Sequence, residues 1–441
     1  MLCLGLDVGS TTVKGAVLDL ERREVRSILK EPFPAPRTGL PAGYCEISPD
    51  EVVAVVKGLI SRLLREAPTA EALFCSGQMA GVILVDLNGR PLTNYLSWRD
   101  QRTLHSPTSQ GTTLDALKAT WRGSELVELG QELQAGSAST LLYWLAQNKL
   151  LPTDAIPSTV ADYVLGQLCG TLPQMDPTQA IGLLDLRVGT WHHAAFDALG
   201  LKHVRWPHLS DQHTPLGKCT FDGHKLRCYP SFGDQQCALR GVGLTRNDLS
   251  INISTGSQVS RRTSRFEPGP YQTRPYFGGD YLNTITHLPA GRSLNVLFDL
   301  LTELARAEGV TLNHPWETIS QSVARSDGGG LRADLAFFAG PLGSQGSLEG
   351  ITTENLTLGN VYHAAFQNMA DNYAQCAGRL CPVLNASHIA ISGGLTRSMP
   401  VLKQLIQDRF PIPIRESVEA EETLVGLLEI AGEIYRLRST S

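Results

Sequence analysis

The chain has 441 residues, of which 42% are hydrophobic and 18% are charged, so wholesale disorder is excluded and two large domains are expected. The net charge of −5 argues against a general nucleic-acid-binding protein. The sequence has neither an apolar run of the roughly 18 residues that a membrane span needs nor the basic start of a signal peptide. Nine scattered cysteines without a Cys-x-x-Cys motif favour a reducing, cytoplasmic location.

The first part of the chain predicts a strand–turn–strand unit followed by a helix. Ser48 offers an N-cap, Pro49 a first helical residue and Glu51 a capping-box glutamate, and apolar residues follow at helical spacing. The expected elements are strands at 2–8, 13–20, 24–33, 72–75 and 82–87 and a helix from 48 to about 67.

The strand–turn–strand unit returns in the second half, after a less periodic middle section. The expected elements there are helices at 141–149 and 158–168, strands at 249–253, 258–262, 334–339 and 388–392, and helices at 358–380, 399–409 and 420–437. This recurrence predicts an α/β protein in two halves, residues 1–245 and 246–441.

The two turns, at 9–12 and 254–257, have the chemistry of phosphate-binding bends. Their glycines permit close approach of a ligand, backbone N–H groups point into the bend, and hydroxyl groups add donors. A single bend of this kind is more often an ordinary β-turn. Two of them facing each other across a cleft would clamp a polyphosphate. The chain has neither a GxGxxG fingerprint nor a Walker A loop.

Several segments, in the same order, resemble the motifs of the FGGY family of carbohydrate kinases, within the actin/Hsp70/sugar-kinase superfamily. They lie at 4–14, 76–81, 88–92, 98–102, 176–178, 183–191, 233–236, 241–243, 254–257 and 392–394. The resemblance covers essentially the whole chain. It implies two RNase-H-like domains flanking an interdomain cleft, with the sugar in the first and the nucleotide mostly in the second. It also implies ATP and Mg²⁺ as cofactors and transfer of the γ-phosphate to a sugar hydroxyl.

Three further stretches, at 251–258, 275–282 and 346–359, resemble the sedoheptulokinase branch of the family. This implies sedoheptulose as the acceptor and its 7-hydroxyl as the phosphorylated group. Ala80 departs from the family, in which histidine usually follows Gln-Met, and leaves a roomier site. A kinase for D-xylulose, D-ribulose or another polyol is therefore the alternative within the family.

The resemblance also implies roles for individual residues. Asp234 is expected to be the catalytic base, because phosphoryl transfer to an alcohol needs a carboxylate to accept the hydroxyl proton. Asp7 and Asp234 are expected to face Mg²⁺. The residues expected to contact the sugar are Gln78, Met79, Trp98, Asp100, Asp234 and Gln235. Those expected to contact the nucleotide are Asp7, Gly9, Ser10, Thr11, Thr12, Lys14, Thr255, Gly256, Ser257, Gly393 and Gly394.

Structural interpretations stand beside these roles. Lys14 could be solvated because it lies past the turn, and Trp98 could belong to the core. The histidines at 192, 193, 203, 208 and 213 have no metal-ligand spacing, and the arginines at 261, 262 and 265 are expected on a solvated surface. The alternative from another class is a non-catalytic sugar sensor, or an actin/Hsp70-like binding protein, on the same fold. Asp7 and Asp234 favour an enzyme, because a sensor does not need a base.

Overall fold

The computed structural model describes residues 1–105, 111–121, 123–417 and 421–439. The strands of the first half are β1 Leu2–Val8, β2 Thr12–Asp19, β3 Glu24–Pro32, β4 Glu46–Ile47, β5 Ala72–Gly77, β6 Ile83–Val85, β7 Tyr95–Leu96, β8 Ile156–Ser158, β9 Gln174–Met175, β10 Leu184–Asp185, β11 Thr190–Trp191, β12 His208–Leu209, β13 Gly217–Phe221 and β14 His224–Gly233. Its helices are α1 Pro49–Glu66, α2 Thr113–Thr120, α3 Glu125–Glu128, α4 Ala138–Gln147, α5 Val160–Cys169, α6 His193–Ala198 and α7 Asp234–Gly241.

The strands of the second half are β15 Asp248–Ile253, β16 Ser257–Thr263, β17 Gln272–Pro275, β18 Tyr281–Leu288, β19 Arg332–Asp334, β20 Ser347–Glu349, β21 His388–Ser392 and β22 Ile414–Glu416. Its helices are α8 Gly291–Ala307, α9 Pro315–Val323, α10 Leu358–Leu380, α11 Gly394–Ser398, α12 Pro400–Arg409 and α13 Glu422–Ser439. None of the helices in the described ranges is long and apolar enough to cross a bilayer.

Each half is organised around a six-stranded sheet with the same central arrangement. The order is β13-β14-β5-β1-β2-β3 in the first sheet and β17-β18-β16-β15-β21-β22 in the second. In both, an antiparallel hairpin supplies the middle, and its first strand pairs in parallel with a strand from later in the chain. Because parallel strands end at the same edge, each hairpin turn lies beside the end of that later strand. This is the duplicated α/β architecture that the sequence predicts.

Helices cover both faces of the first sheet, and one of them comes from the end of the chain. The apolar stripe of α1 packs with α5 against one face of the sheet. α13 packs on α7 and on strands β1, β3 and β5 at the other face, where Leu424, Leu427 and Ala431 are buried. The predicted start of this helix, Ala420, lies outside the described residues. The last helix thus returns to the first half, and the boundary near 245 stays a prediction.

The middle of the first half forms a subdomain that reaches across to the second sheet. It has its own core around Trp121, Leu141 and Phe196. The backbone N–H of Thr273 on β17 donates to the Gly130 carbonyl at 2.9 Å, and the Tyr281 hydroxyl on β18 donates to the Leu186 carbonyl at 2.8 Å. These contacts hold the loops after α3 and β10 against the second half.

The structure departs from the expectations in several places, among them the strand at 334–339, helix α8 and the surroundings of Arg262. The strand expected at 334–339 ends at Asp334, and residues after it border a cleft. Helix α8 is not foreseen, since its Ala-Gly-Arg start carries no capping side chain. Arg262, expected on a solvated surface, is instead an ion-pair partner of the buried Asp280, with its Nε 2.6 Å from Oδ2.

Candidate active site

A cleft of about 680 Å³ separates the two halves and contains many of the predicted site residues. Its walls come from the ends of β5 and β14, the hairpin turns and the start of α8. The predicted residues that line it are Ser10, Gln78, Met79, Trp98, Asp234, Gln235, Thr255, Gly256 and Ser257. Those that do not are Asp7, Gly9, Thr11, Thr12, Lys14, Asp100, Gly393 and Gly394.

Asp234 stands at the boundary between β14 and α7 and borders the cleft. The strand end places it there, and the backbone N–H of Gln235 donates to its Oδ1 at 2.7 Å. Burial raises the pKa of Asp234 to about 6, although Arg274 opposes this shift. A carboxyl group with a pKa near the working pH is suited to taking up a proton.

Asp7 lies just behind the cleft, near the end of β1. The Ser76 hydroxyl on β5 donates to its Oδ1 at 3.2 Å. Burial and, next, the nearby Asp234 raise the pKa of Asp7 to about 7. The charge of Asp234 therefore opposes the ionisation of Asp7, and a hard divalent cation near both carboxyl groups would relieve that repulsion. Their oxygen donors fit Mg²⁺.

The first hairpin offers less to the cleft than the sequence predicts. Ser10 lines the cleft, whereas the Thr11 carbonyl accepts a hydrogen bond from the N–H of Phe33 at 2.9 Å. The Lys14 ammonium lies 2.7 Å from Oε2 of Glu421, and Lys30 lies 2.5 Å from the other oxygen of that carboxylate. The charge of Lys14 is compensated by this shared carboxylate together with Asp7, whose Oδ2 lies 3.9 Å from the Lys14 ammonium.

The second hairpin exposes Thr255 and Gly256 to the cleft. Ser257 is buried, and its hydroxyl donates to the Leu288 carbonyl at 3.3 Å and accepts from the Tyr373 hydroxyl at 3.1 Å. The side chain of Ser257 therefore fixes the base of the turn. The bend itself leaves Thr255 and Gly256 as the groups that a ligand can approach.

Gly393 and Gly394 form the passage from β21 into α11. Gly393 has φ of +95°, and a Cβ there would lie 2.2 Å from the Ile253 carbonyl oxygen. Its backbone N–H interacts with the carboxylate of Glu422, which lines the cleft. This glycine turn thus adjoins the cleft through Glu422.

At the other end of the cleft, Gln78 presents an unused donor. Its Oε1 accepts a hydrogen bond from the Tyr95 hydroxyl at 3.2 Å, while its Nε2 is buried and has no partner among the described residues. Trp98, 37% exposed, and Met79 stand beside it. Ala80 adopts φ of +59° and adds only a methyl group to this wall. The arrangement suits a ligand with both apolar and hydrogen-bonding surface.

Comparison with known proteins identifies the family. The FGGY carbohydrate kinase N-terminal domain matches residues 2–227. The chain belongs to the FGGY family of carbohydrate kinases. It is an ATP-dependent kinase that transfers phosphate to an alcohol acceptor. It is 22% identical to the sedoheptulokinase of Homo sapiens, over 94% of each chain.

Solved structures share the fold of this FGGY kinase. Ligand-bound xylulose kinase from Lactobacillus acidophilus has a TM-score of 0.82 at 18% identity, covering 99% of this chain and 90% of that one. Plasmodium falciparum glycerol kinase with ADP has a TM-score of 0.83 at 15% identity, with the same coverage. The expected fold, two RNase-H-like domains around a cleft, is confirmed.

The structure does not bring Asp100 into the cleft of this kinase. The side chain is fully buried, with Oδ1 accepting from Nε of Arg102 at 2.9 Å and Oδ2 from the N–H of Cys45 at 2.7 Å. Arg102 also pairs with Glu46 at 2.7 Å. Asp100 therefore braces the loop that carries Trp98 and has no oxygen directed at a sugar.

Gln235 lines the cleft but has partners at both ends of its amide. Its Nε2 donates to Oε1 of Gln258 at 3.1 Å, and its Oε1 accepts from Arg274. Arg274 also pairs with Glu132, so three side chains join the two halves beside Asp234. Glu132 and Arg274 are missed by the sequence analysis. Arg274 directly precedes a stretch with a family resemblance, whereas nothing in the sequence marks Glu132.

His192, one of the histidines for which no metal site is expected, lies beside Glu128 and Asp185. Its Nε2 lies 2.9 Å from Oε2 of Glu128, and its Nδ1 accepts from the N–H of Ala195 at 3.3 Å, capping α6. Asp185 is close to both side chains. Arg187 already lies 3.3 Å from Glu128, and both ring nitrogens are engaged, so the cluster is accounted for structurally.

Proposed function

We propose that this kinase phosphorylates the terminal hydroxyl of a ketose, with sedoheptulose as acceptor and its 7-hydroxyl as the nucleophile. Three stretches of sequence and a relative that aligns over 94% of both chains support this choice. Ala80 lines the sugar end of the cleft with only a methyl group, and this departure from the family keeps D-xylulose, D-ribulose or another polyol as the alternative acceptor.

The observation that carries the proposal is the position of Asp234 on the wall of the interdomain cleft, with Asp7 behind it and near enough for Asp234 to raise the pKa of Asp7. Asp234 accepts the proton of the sugar hydroxyl while that oxygen forms its bond to the γ-phosphorus and ADP leaves. Its pKa of about 6 keeps it ionised at neutral pH yet basic enough to be useful. Closure of the cleft excludes water and limits hydrolysis of ATP.

Asp7 and Asp234 are the residues we assign to Mg²⁺. When bound, the ion supplies positive charge to the β- and γ-phosphates. The electrostatics of Asp7 support this assignment, since the nearby Asp234 raises the pKa of Asp7 and a bound cation would offset that repulsion.

The sugar binds at the end of the cleft that holds Gln78, Met79 and Trp98. The unpartnered Nε2 of Gln78 donates to a sugar hydroxyl, and Trp98 supplies the apolar wall. Glu132 and Arg274 line the same end as a neutralised pair, which fits an uncharged polyol better than a sugar acid.

The nucleotide binds toward the second half. Ser10, Thr255 and Gly256 approach its phosphates, and the Gly393-Gly394 turn approaches adenosine. This division of labour between residues 1–245 and 246–441 follows from the family resemblance. A cytoplasmic location is supported by the nine cysteines, all of which are free thiols.

A coupled assay of ADP release over sedoheptulose, D-xylulose, D-ribulose and glycerol tests the proposal. We expect the highest kcat/KM with sedoheptulose. In Asp234→Asn, kcat should fall by about two orders of magnitude or more, as expected for loss of a general base. The matched control is Asp197→Asn, an exposed residue on α6, which should keep normal turnover.

The same assay discriminates between the alternatives. A higher kcat/KM with D-xylulose or D-ribulose would favour the second candidate, which the structural likeness to a xylulose kinase supports. Near-normal turnover of Asp234→Asn would exclude Asp234 as the base. Folded protein that releases no sugar-dependent ADP would reject the proposed reaction altogether.

A further inference from the structure

Arg292 occupies a place in the cleft that the sequence analysis did not single out. It is the second residue of α8, and its backbone N–H donates to the Thr255 carbonyl at 2.7 Å. The N–H of Gly291 donates to the Ser254 carbonyl at 3.1 Å. The start of α8 and the second hairpin therefore form one unit, and the side chain of Arg292 lines the same cleft as Thr255 and Gly256.

The guanidinium group of Arg292 is held in place but not neutralised. Its Cζ lies 3.4 Å from the centroid of the Phe338 ring. A cation–π contact of this kind does not use the N–H groups of the guanidinium as donors to an oxygen acceptor, so they stay available to one. Among the described residues, none forms a hydrogen bond or ion pair with this side chain.

The other basic side chains near the cleft are already compensated or neutral. Arg274 pairs with Glu132, and Lys14 pairs with Glu421. Partial desolvation in the cleft wall and the neighbouring Arg274 lower the pKa of His287 below its ordinary value, which favours the neutral ring. Of the described cationic side chains that line the cleft, Arg292 is the one without an acidic partner.

Acidic side chains on the cleft walls give the positive charge of Arg292 a possible function. Asp234 and Glu422 both line the cleft, whereas the charge of Glu132 is already paired with Arg274. A polyphosphate that enters meets these carboxylates, and like charges at short range in a partly enclosed site are costly. A fixed guanidinium beside the hairpin offsets that repulsion, and its planar set of donors suits phosphate oxygens.

We propose that Arg292 binds the phosphate chain of the nucleotide as a cation contributed by α8 to the hairpin at 254–257. The inference rests on the proposed function, since it takes the nucleotide to lie at that hairpin. Phe338 then has a positioning role, because it keeps the guanidinium at the cleft wall.

Calorimetric titration of the full-length protein with ADP and with adenosine tests the inference. In Arg292→Gln, the Kd for ADP should rise by about 10- to 100-fold, the range for loss of a hydrogen bond to a charged group. Adenosine lacks phosphate, so its Kd should change by less than about twofold. The loss of ADP affinity should shrink at high ionic strength, because salt screens the interaction.

The matched control is Arg325→Gln, which removes the same charge from an exposed position outside the cleft. Its ADP affinity should stay that of the unaltered protein. Unchanged ADP binding by Arg292→Gln would overturn the inference, as would an equal loss of adenosine binding, which would point to an effect on the fold. If the unaltered protein bound no ADP, the proposed nucleotide site itself would fail, and the inference with it.

Discussion

The two hairpins at the cleft share one architecture and differ in charge. Near the end of β1, Asp7 lies in register with Ser76 on the parallel strand β5. Near the end of β15, Asn252 holds the corresponding place, in register with Ser392 on β21. Each pair is hydrogen-bonded: the Ser76 hydroxyl donates to Asp7 at 3.2 Å, and Nδ2 of Asn252 donates to Ser392 at 2.8 Å.

The residues opposite Asp7 and Asn252 on the second strand of each hairpin also differ in charge. Lys14 lies opposite Asp7 in the first hairpin, whereas Gln258 lies opposite Asn252 in the second. The second hairpin shows that an amide at this position is enough to join the strands. The carboxyl group of Asp7 is therefore not required by the fold, and its burial works against its ionisation. The comparison favours a chemical role for Asp7 in the first half.

Asp7→Asn makes the first hairpin resemble the second and should have the largest effect. We expect kcat to fall by about 100-fold or more, because charge stabilisation at the transferred phosphate is lost. Thermal stability should be retained, since asparagine can keep the hydrogen bond to Ser76. Steady-state kinetics with varied Mg²⁺ and a thermal melt measure both effects.

The reciprocal variant, Asn252→Asp, serves as the control for Asp7→Asn. It places an acid in the second hairpin and should not restore activity to the Asp7→Asn variant. An Asp7→Asn protein that turns over normally, or one that no longer folds, would contradict the functional assignment.

Local patterns predicted the parts of this molecule that repeat or are strongly periodic. The helix expected at 358–380 and the strand at 388–392 agree with α10 and β21, because long apolar periodicity and a fully buried run are clear signals. The hairpins were found because the same turn chemistry occurs twice. Asp234 was placed in the cleft by a motif between the two halves.

Local sequence patterns do not predict contacts between residues that are far apart in the chain. Arg274 and Glu132 are 142 positions apart, and only the docking of the middle subdomain on β17 makes them neighbours. Asp100 shows the opposite case. Its motif places it beside Trp98, but Arg102 draws its carboxylate into the interior.

The two halves also differ at the glycine that follows the serine beside each hairpin, Gly77 in the first half and Gly393 in the second. Substitution of Gly393 should have the next largest effect, on the free energy of unfolding. Gly77 and Gly393 each follow the serine that contacts the hairpin, but Gly393 alone of the two has φ in the left-handed region. Gly393→Ala should lower the free energy of unfolding by about 2–4 kcal/mol, through backbone strain and a clash with the Ile253 carbonyl. Urea unfolding measures the change.

The neighbouring glycine provides the control for this variant. A Cβ at Gly394 would meet no atom within 4 Å, and the residue begins α11. Gly394→Ala should therefore leave stability unchanged or raise it by up to about 1 kcal/mol. Equal stability of the two variants would show that the Gly393 turn can relax, and that the turn is not held rigidly beside the cleft.

The smallest expected effect concerns the cations of the two hairpins: Lys14 pairs with Glu421, whereas Arg292 has no acidic partner in the part of the chain that the structure describes. Glu421→Gln should lower the free energy of unfolding by about 1 kcal/mol, because the pairs with Lys14 and Lys30 are only partly buried. Release of Lys14 toward the phosphates should also lower KM for ATP. Glu416→Gln, which breaks a more exposed pair with Lys403, is the matched control and should leave KM unchanged.

The difference in unfolding free energy between the unaltered protein and Glu421→Gln should depend on pH, because Glu421 must be ionised to pair with the two lysines. The two lysines hold its pKa below the ordinary value of 4.5 despite burial, so the folded state favours the ionised form. The stabilisation is fully present above about pH 5 and is lost as the pH falls through the lower folded value. Unfolding free energies of the unaltered protein and Glu421→Gln should therefore differ at pH 7 and converge in acid. A gap that widened in acid, or an unchanged KM for ATP, would show that Glu421 does not restrain Lys14.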